Sequence, residues 1–107
     1  MAIKNSVLTN TPLSIYTSVG TSVVTVMYFC NVGTKTAEFS LYIVPVGLSW
    51  TEDRAIYHSV QVTEKDTYVI DTEKLVLNNG DAVFARVNDP TGDPGIRVIV
   101  TVSSIEV

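Results

Sequence analysis

Ala37-Glu38-Phe39-Ser40-Leu41-Tyr42-Ile43-Val44-Pro45-Val46 is the stretch on which the fold turns. Ala37, Phe39, Leu41 and Ile43 fall on one side of an extended chain, with Glu38, Ser40 and Tyr42 opposite. Successive side chains of a β-strand point to opposite faces, so this alternation describes a strand with one buried face. Upstream, residues 21–31 form the longest apolar run, rich in the branched residues Val and Thr that suit a pleated surface. No stretch places apolar residues at helical spacing, and no capping box precedes one.

Working outward, short edge strands are expected around Val7 and at Leu13–Thr17, separated by Asn10, Thr11 and Pro12. Residues 54–63 place Ile56, Val60 and Val62 on one face and Tyr57, Ser59 and Gln61 on the other. Further strands are expected at 67–70, 74–77, 82–87 and 96–107. Between Leu77 and Ala82, Asn79-Gly80 is a two-residue hairpin signal, because both central positions of such a turn need positive φ. Short strands at near-even spacing predict an all-β chain, an antiparallel β-sandwich of jelly-roll or immunoglobulin-like type with eight or nine strands.

The 107 residues suit a single domain, 1–107, large enough to fold around one core without metals or disulfides. Apolar residues make up 46% and charged ones 17%, which excludes the disordered class. The net charge is −4, and the seven basic residues (Lys4, Lys35, Arg54, Lys65, Lys74, Arg86 and Arg97) are scattered. Nucleic-acid binding draws its affinity from clustered cations, so no nucleic-acid partner is expected. Cys30 is the single cysteine, which excludes an intrachain disulfide. Residues 1–10 carry one lysine and no apolar run, unlike a signal peptide. No apolar stretch approaches the roughly 20 residues of a membrane helix, so no membrane partner is expected.

Chemistry is sparse. His58 is the only histidine, and no local motif ties an orienting carboxylate to it, so no enzyme and no catalytic residue is expected. Cys30 continues an apolar strand and reads as a small buried hydrophobe. One Cys and one His cannot build a zinc site, and no glycine loop cradles phosphate, so no cofactor is expected. In the loop 88–95, Asp89 and Asp93 could offer oxygens to calcium, but their spacing does not match the helix-flanked calcium loop and suits a solvated turn. Trp50, with Tyr57 shortly after, could join that loop as a ligand-contact surface or could lid the core.

Two strands have more apolar surface than a sandwich core needs. Residues 21–31 put Val23, Met27 and Phe29 on one face and Val24, Val26, Tyr28 and Cys30 on the other. In the last strand Ile96, Val98, Val100 and Val102 form an inward row, with Ile99 and Ile105 outside. Either loops cover the second faces, or Val24, Val26, Tyr28, Ile99 and Ile105 belong to a subunit interface.

The order of segments is also familiar. Asn5-Ser6-Val7-Leu8-Thr9 leads into Ile15-Tyr16-Thr17-Ser18 and Val23-Val24-Thr25-Val26-Met27-Tyr28-Phe29-Cys30-Asn31. Tyr42-Ile43-Val44-Pro45, Ile56-Tyr57, Asp66-Thr67-Tyr68-Val69-Ile70 and Lys74-Leu75-Val76-Leu77 follow, then Gly80-Asp81-Ala82-Val83-Phe84-Ala85 and Val100-Thr101-Val102-Ser103. Across nearly the whole chain this resembles the small β-sandwich virion structural proteins of tailed bacteriophages, found as capsid decoration or cement proteins and in tails and fibres. The resemblance implies a virion component assembled in the host cytoplasm. It also implies a homo-oligomer, such as a trimer, attached to the major capsid protein or to tail proteins. It carries over no catalytic residue. Residues 1–10 could then act as an extended arm laid along a neighbour as an added strand. The alternative is a carbohydrate- or receptor-binding module at the tail, with Trp50, Tyr57 and the 88–95 loop at one end.

Overall fold

The computed structural model describes residues 2–70, 75–88 and 95–106. Nine strands follow one another among them. They are β1 (Ala2–Val7), β2 (Leu13–Thr17), β3 (Ser22–Asn31), β4 (Ala37–Val44), β5 (Ala55–Val62), β6 (Thr67–Ile70), β7 (Leu75–Leu77), β8 (Ala82–Val87) and β9 (Val98–Glu106). A single 3-10 turn, Glu52–Arg54, precedes β5. The strands form two antiparallel sheets packed as a sandwich, β1-β9-β3-β6 with β7 also on β3, and β2-β8-β4-β5.

The pairing is nested: β4 with β5, β3 with β6 and β7, β2 with β8, and β1 with β9. One long antiparallel ribbon is thus rolled over on itself, the winding of a jelly roll. An immunoglobulin sandwich keeps its first two strands in one sheet, whereas β1 and β2 lie in different sheets here. β6 lies opposite Met27 to Cys30 and β7 opposite Ser22 to Val24, so the two share one lane beside β3.

The core fills the space between the sheets. Met27 and Phe29 of β3 and Val98, Val100 and Val102 of β9 face Phe39 and Leu41 of β4 and Val83, Ala85 and Val87 of β8. Phe29 and Phe39 stack across the sandwich with ring centroids 3.9 Å apart and planes within 7°. Tyr68 meets Phe39 edge-on at 5.6 Å.

Register shifts occur in the β2–β8, β3–β9 and β4–β5 pairings, and those in β3 and β5 overturn the expected division of faces. The β3–β9 register shifts between Val24 and Val26, and one extra residue moves all that follows to the other face. Val24 therefore joins the core at 1% exposure, which corrects its expected grouping with Val26 and Tyr28. Val23 accordingly parts from Met27 and Phe29, and Cys30 is half-buried on the outer face rather than a core residue. In β5 the register against β4 breaks around Ser40. There Ser59 adopts φ +52° and its N–H donates to the Ser40 hydroxyl at 3.1 Å. Tyr57 consequently sits opposite Leu41 and packs against the core, while Ile56 is exposed; the expected division of this strand's faces holds only beyond Ser59.

Asn79-Gly80 does turn the chain, but not into a hairpin. β7 pairs with β3 and β8 with β4 and β2, so the turn carries the chain from one sheet to the other. Gly80 has φ +90° while Asn79 is not in the positive-φ region. The turn docks onto the end of the sandwich: the Gly80 N–H donates to the Ser18 carbonyl at 2.9 Å, and the Gly20 N–H donates to Asn79 Oδ1 at 2.9 Å. The Asp81 carboxylate accepts from the Val46 and Asn78 N–H groups, each at 3.0 Å. Local turn chemistry specifies a reversal, whereas the partner of the next strand is settled by which faces must be buried. A Cβ on Gly80 would lie 2.5 Å from Val46 Cγ2 in a conformation L-residues rarely adopt. Gly80→Ala is expected to cost about 1–3 kcal/mol, read as a lowered urea midpoint with an unchanged slope.

The amino-terminal segment is taken up in its own sheet. β1 runs along β9 from Ala2 opposite Ser104 to Val7 opposite Ile99, so it is an edge strand rather than a free arm.

Candidate functional site

Two surfaces gather the residues of interest, one on the outer side of each sheet. On the β1-β9-β3-β6 sheet, side chains opposite one another across the strands form rows. Val7, Ile99 and Cys30 make one row, and Asn5, Thr101, Tyr28 and Val69 the next. Ile3, Ser103 and Val26 follow, and Ile105, Val23 and Val76 close the face. Among these described positions none carries a charge. Two of the polar side chains are already engaged: Thr101 Oγ1 donates to Asn5 Oδ1 at 2.9 Å, and Thr25 Oγ1 donates to the Ser103 carbonyl at 3.1 Å.

Four of the five expected interface residues, Val26, Tyr28, Ile99 and Ile105, are brought together on this face. Val24 is not, because of the bulge. Tyr28 and Ile105 are 42% and 43% exposed, and Ile3 and Val76 at two margins are 68% exposed. A contiguous apolar face of this kind marks association more often than a scatter of single apolar residues does. Ile3, Val7, Val69 and Val76 were missed by the sequence reading, since short edge strands give too few alternations to assign faces.

The outer side of the β2-β8-β4-β5 sheet is built differently. Tyr42, fully buried, donates its hydroxyl to Glu52 Oε1 at 3.1 Å and accepts from Arg86 Nε at 3.0 Å. Arg86 Nη2 reaches the same Glu52 oxygen at 3.1 Å, and His58 Nε2 lies 3.1 Å from Glu52 Oε2. Trp50 covers this group, its ring 5.3 Å from that of Tyr42 and the Arg86 guanidinium 6.0 Å from its centre. The 3-10 turn carrying Glu52 is thereby braced onto the sheet and covers part of this face, leaving Ile56 exposed.

The brace gives His58 a carboxylate neighbour that the sequence did not reveal. Both side chains are open to water, 61% and 49% exposed, and an exposed pair of this kind is worth about 0–1 kcal/mol. Of the side chains expected in a ligand surface, Trp50, Tyr57, Asp89 and Asp93, only Trp50 and Tyr57 lie among the described residues. Trp50 lies on the outer side, Tyr57 faces the core, and Asp89 and Asp93, with the rest of 89–94, lie outside the described residues. Among the described residues no group of three His, Cys, Asp or Glu side chains could hold a metal ion, and no helix is long and apolar enough to cross a membrane.

No protein-family model matches the chain, and no curated protein matches it as a relative. The residues themselves therefore carry the functional argument.

Proposed function

We propose that this protein is a structural component of a phage virion, a capsid decoration or cement protein that binds and stabilises the shell. The carrying observation is the outer face around Tyr28, Val26, Ile99 and Ile105, whose described positions carry no charge and on which Tyr28 and Ile105 are exposed, while Trp50 and Glu52 cover part of the opposite sheet. Burying such a face contributes about 25 cal/mol per Å² of apolar surface removed from water. Repeated over a lattice, weak contacts add through multivalency. The partner would be the major capsid protein or a tail protein. Jelly-roll winding recurs in viral capsid proteins, an analogy of fold that lends support without assigning function. A tail carbohydrate-binding module gains less support, because Trp50 and Tyr57 face opposite sides of their sheet.

Quantitative mass spectrometry of purified particles tests the proposal. The chain is expected at a fixed ratio to the shell protein, and Ile99→Glu is expected to remove it from particles while its melting curve stays near wild type. Absence of the wild-type chain from particles would overturn the reading.

A further inference from the structure

We propose that the outer face of the β1-β9-β3-β6 sheet packs on the same face of a second copy of this chain, forming a two-fold dimer of stacked sandwiches. The inference rests on the surface used for the virion reading and names the first occupant of that surface.

Relief argues for a second copy. At the middle of the face β3 projects the Tyr28 ring, while its neighbours on β9 are the short Thr101 and Ser103. Ile99 and Ile105 stand at either end of that short pair. A two-fold axis lying in the interface plane and running along the strands between β9 and β3 would set each Tyr28 over the other copy's Thr101, with Ser103 beside it. An isologous contact requires such self-complementarity and closes at two subunits.

Charge argues the same way. Each chain carries −4, so two copies repel unless their charges are held apart. A face whose described positions carry no charged side chain permits contact at the roughly 10 Å separation of packed sheets while like charges stay toward the periphery, beyond the roughly 8 Å screening length at physiological salt. A partner of opposite charge would be selected by complementary charges, and the described positions of this face offer none.

The area is adequate. Four lanes about 4.8 Å apart at about 3.3 Å per residue, formed by strands of 6, 9 and 10 residues and by β6 and β7 together, give a projected face of roughly 500 Å². The accessible area of a corrugated face exceeds its projection, which brings it toward the roughly 800 Å² that each partner contributes to a standard interface.

The test is light scattering on the full chain after gel filtration at high micromolar concentration. The expected mass is twice the 11.6 kDa of the chain. Tyr28→Glu is expected to halve that mass with an unchanged circular-dichroism melt, while Leu48→Glu, exposed on a loop elsewhere, keeps the dimer. A second measurement needs no variant. Alkylation of Cys30 by a maleimide should slow as protein concentration rises through the dimer range, because Cys30 lies in the face beside Ile99. A monomer, a trimer, or a Cys30 rate independent of concentration would overturn the inference. A monomer that is nonetheless present in particles sinks the dimer and spares the virion reading, and a dimer absent from particles does the reverse.

Discussion

Phe39→Ala is expected to lower the unfolding free energy by about 3–5 kcal/mol, the range for truncating a fully buried aromatic side chain. Phe39 is fully buried, stacked on Phe29 at 3.9 Å and met edge-on by Tyr68. Removing it takes away a large buried surface and leaves a cavity walled by hydrogen-bonded strands on both sides, which cannot collapse into the gap without breaking their ladders. Domains of this size hold about 5–15 kcal/mol in total, so the variant should lose a third or more of its stability. Urea unfolding followed by tryptophan fluorescence reads this as a midpoint lowered by about 1 M or more. Phe39→Leu should lose less, since it refills part of the space. A loss below about 1 kcal/mol would mean that the Phe29–Phe39 stack is not closed to solvent.

Period-two patterning was legible wherever a strand runs without interruption. Ala37, Phe39 and Leu41 face the core as read, but Ser40 and Tyr42 on the opposite side are buried as well, so burial does not alternate along β4; the inward row Val98, Val100 and Val102 is found as read. Failures concentrate at the bulges. A bulge is one unpaired residue, and neither Thr25 nor Ser59 is a residue type that announces one. Val24 and Tyr57 were thus placed on the wrong faces although their strands were located. Asn79-Gly80 shows the complementary limit: its chemistry gives the reversal but carries no information about the sheet that follows.

The polar brace was illegible for another reason. Tyr42 and Arg86 are separated by 44 residues, and they meet because β4 and β8 are neighbours in the jelly roll. Only the winding reveals why Trp50 lies over the outer side of the β2-β8-β4-β5 sheet. The outer face of the β1-β9-β3-β6 sheet was legible in its centre, where β3 and β9 are long, and not at its margins. The surplus of apolar residues in residues 21–31 is therefore divided: Val24 and Met27 build the core, while Val26 and Tyr28 remain outside it.

Asn31→Asp, a change of one amide to a carboxylate with almost no change in shape, is expected to cost about 3–5 kcal/mol, the range for leaving a buried charge without its partner. Asn31 is 0% exposed at the end of β3. Its Nδ2 donates to the Lys35 carbonyl at 2.8 Å and to the Val62 carbonyl at 3.0 Å, while Oδ1 accepts the Gly33 N–H at 2.9 Å. Its backbone pairs with Asp66 and Lys65, each at 2.9 Å. One side chain thus joins β3 in one sheet, the loop leading to β4, and β5 in the other. In the same loop Gly33 lies so close to the Gly95 carbonyl that a Cβ would collide with it, so the backbone has little room to move aside. Aspartate would turn a two-proton donor into an acceptor aimed at two carbonyl oxygens, and would do so without water. Asn31→Ala should cost less, about 1–3 kcal/mol, because it leaves backbone groups unpaired but introduces no charge. Asn79→Asp is the control: the exposed side chain keeps its acceptor for the Gly20 N–H, and surface changes of this kind stay within about 0.5 kcal/mol. Chemical denaturation of the three variants should rank Asn31→Asp as the least stable, Asn31→Ala as intermediate and Asn79→Asp as near wild type. If Asn31→Asp were as mild as Asn31→Ala, solvent would have to reach the node, and the tie between the two sheets would not be the buried one described.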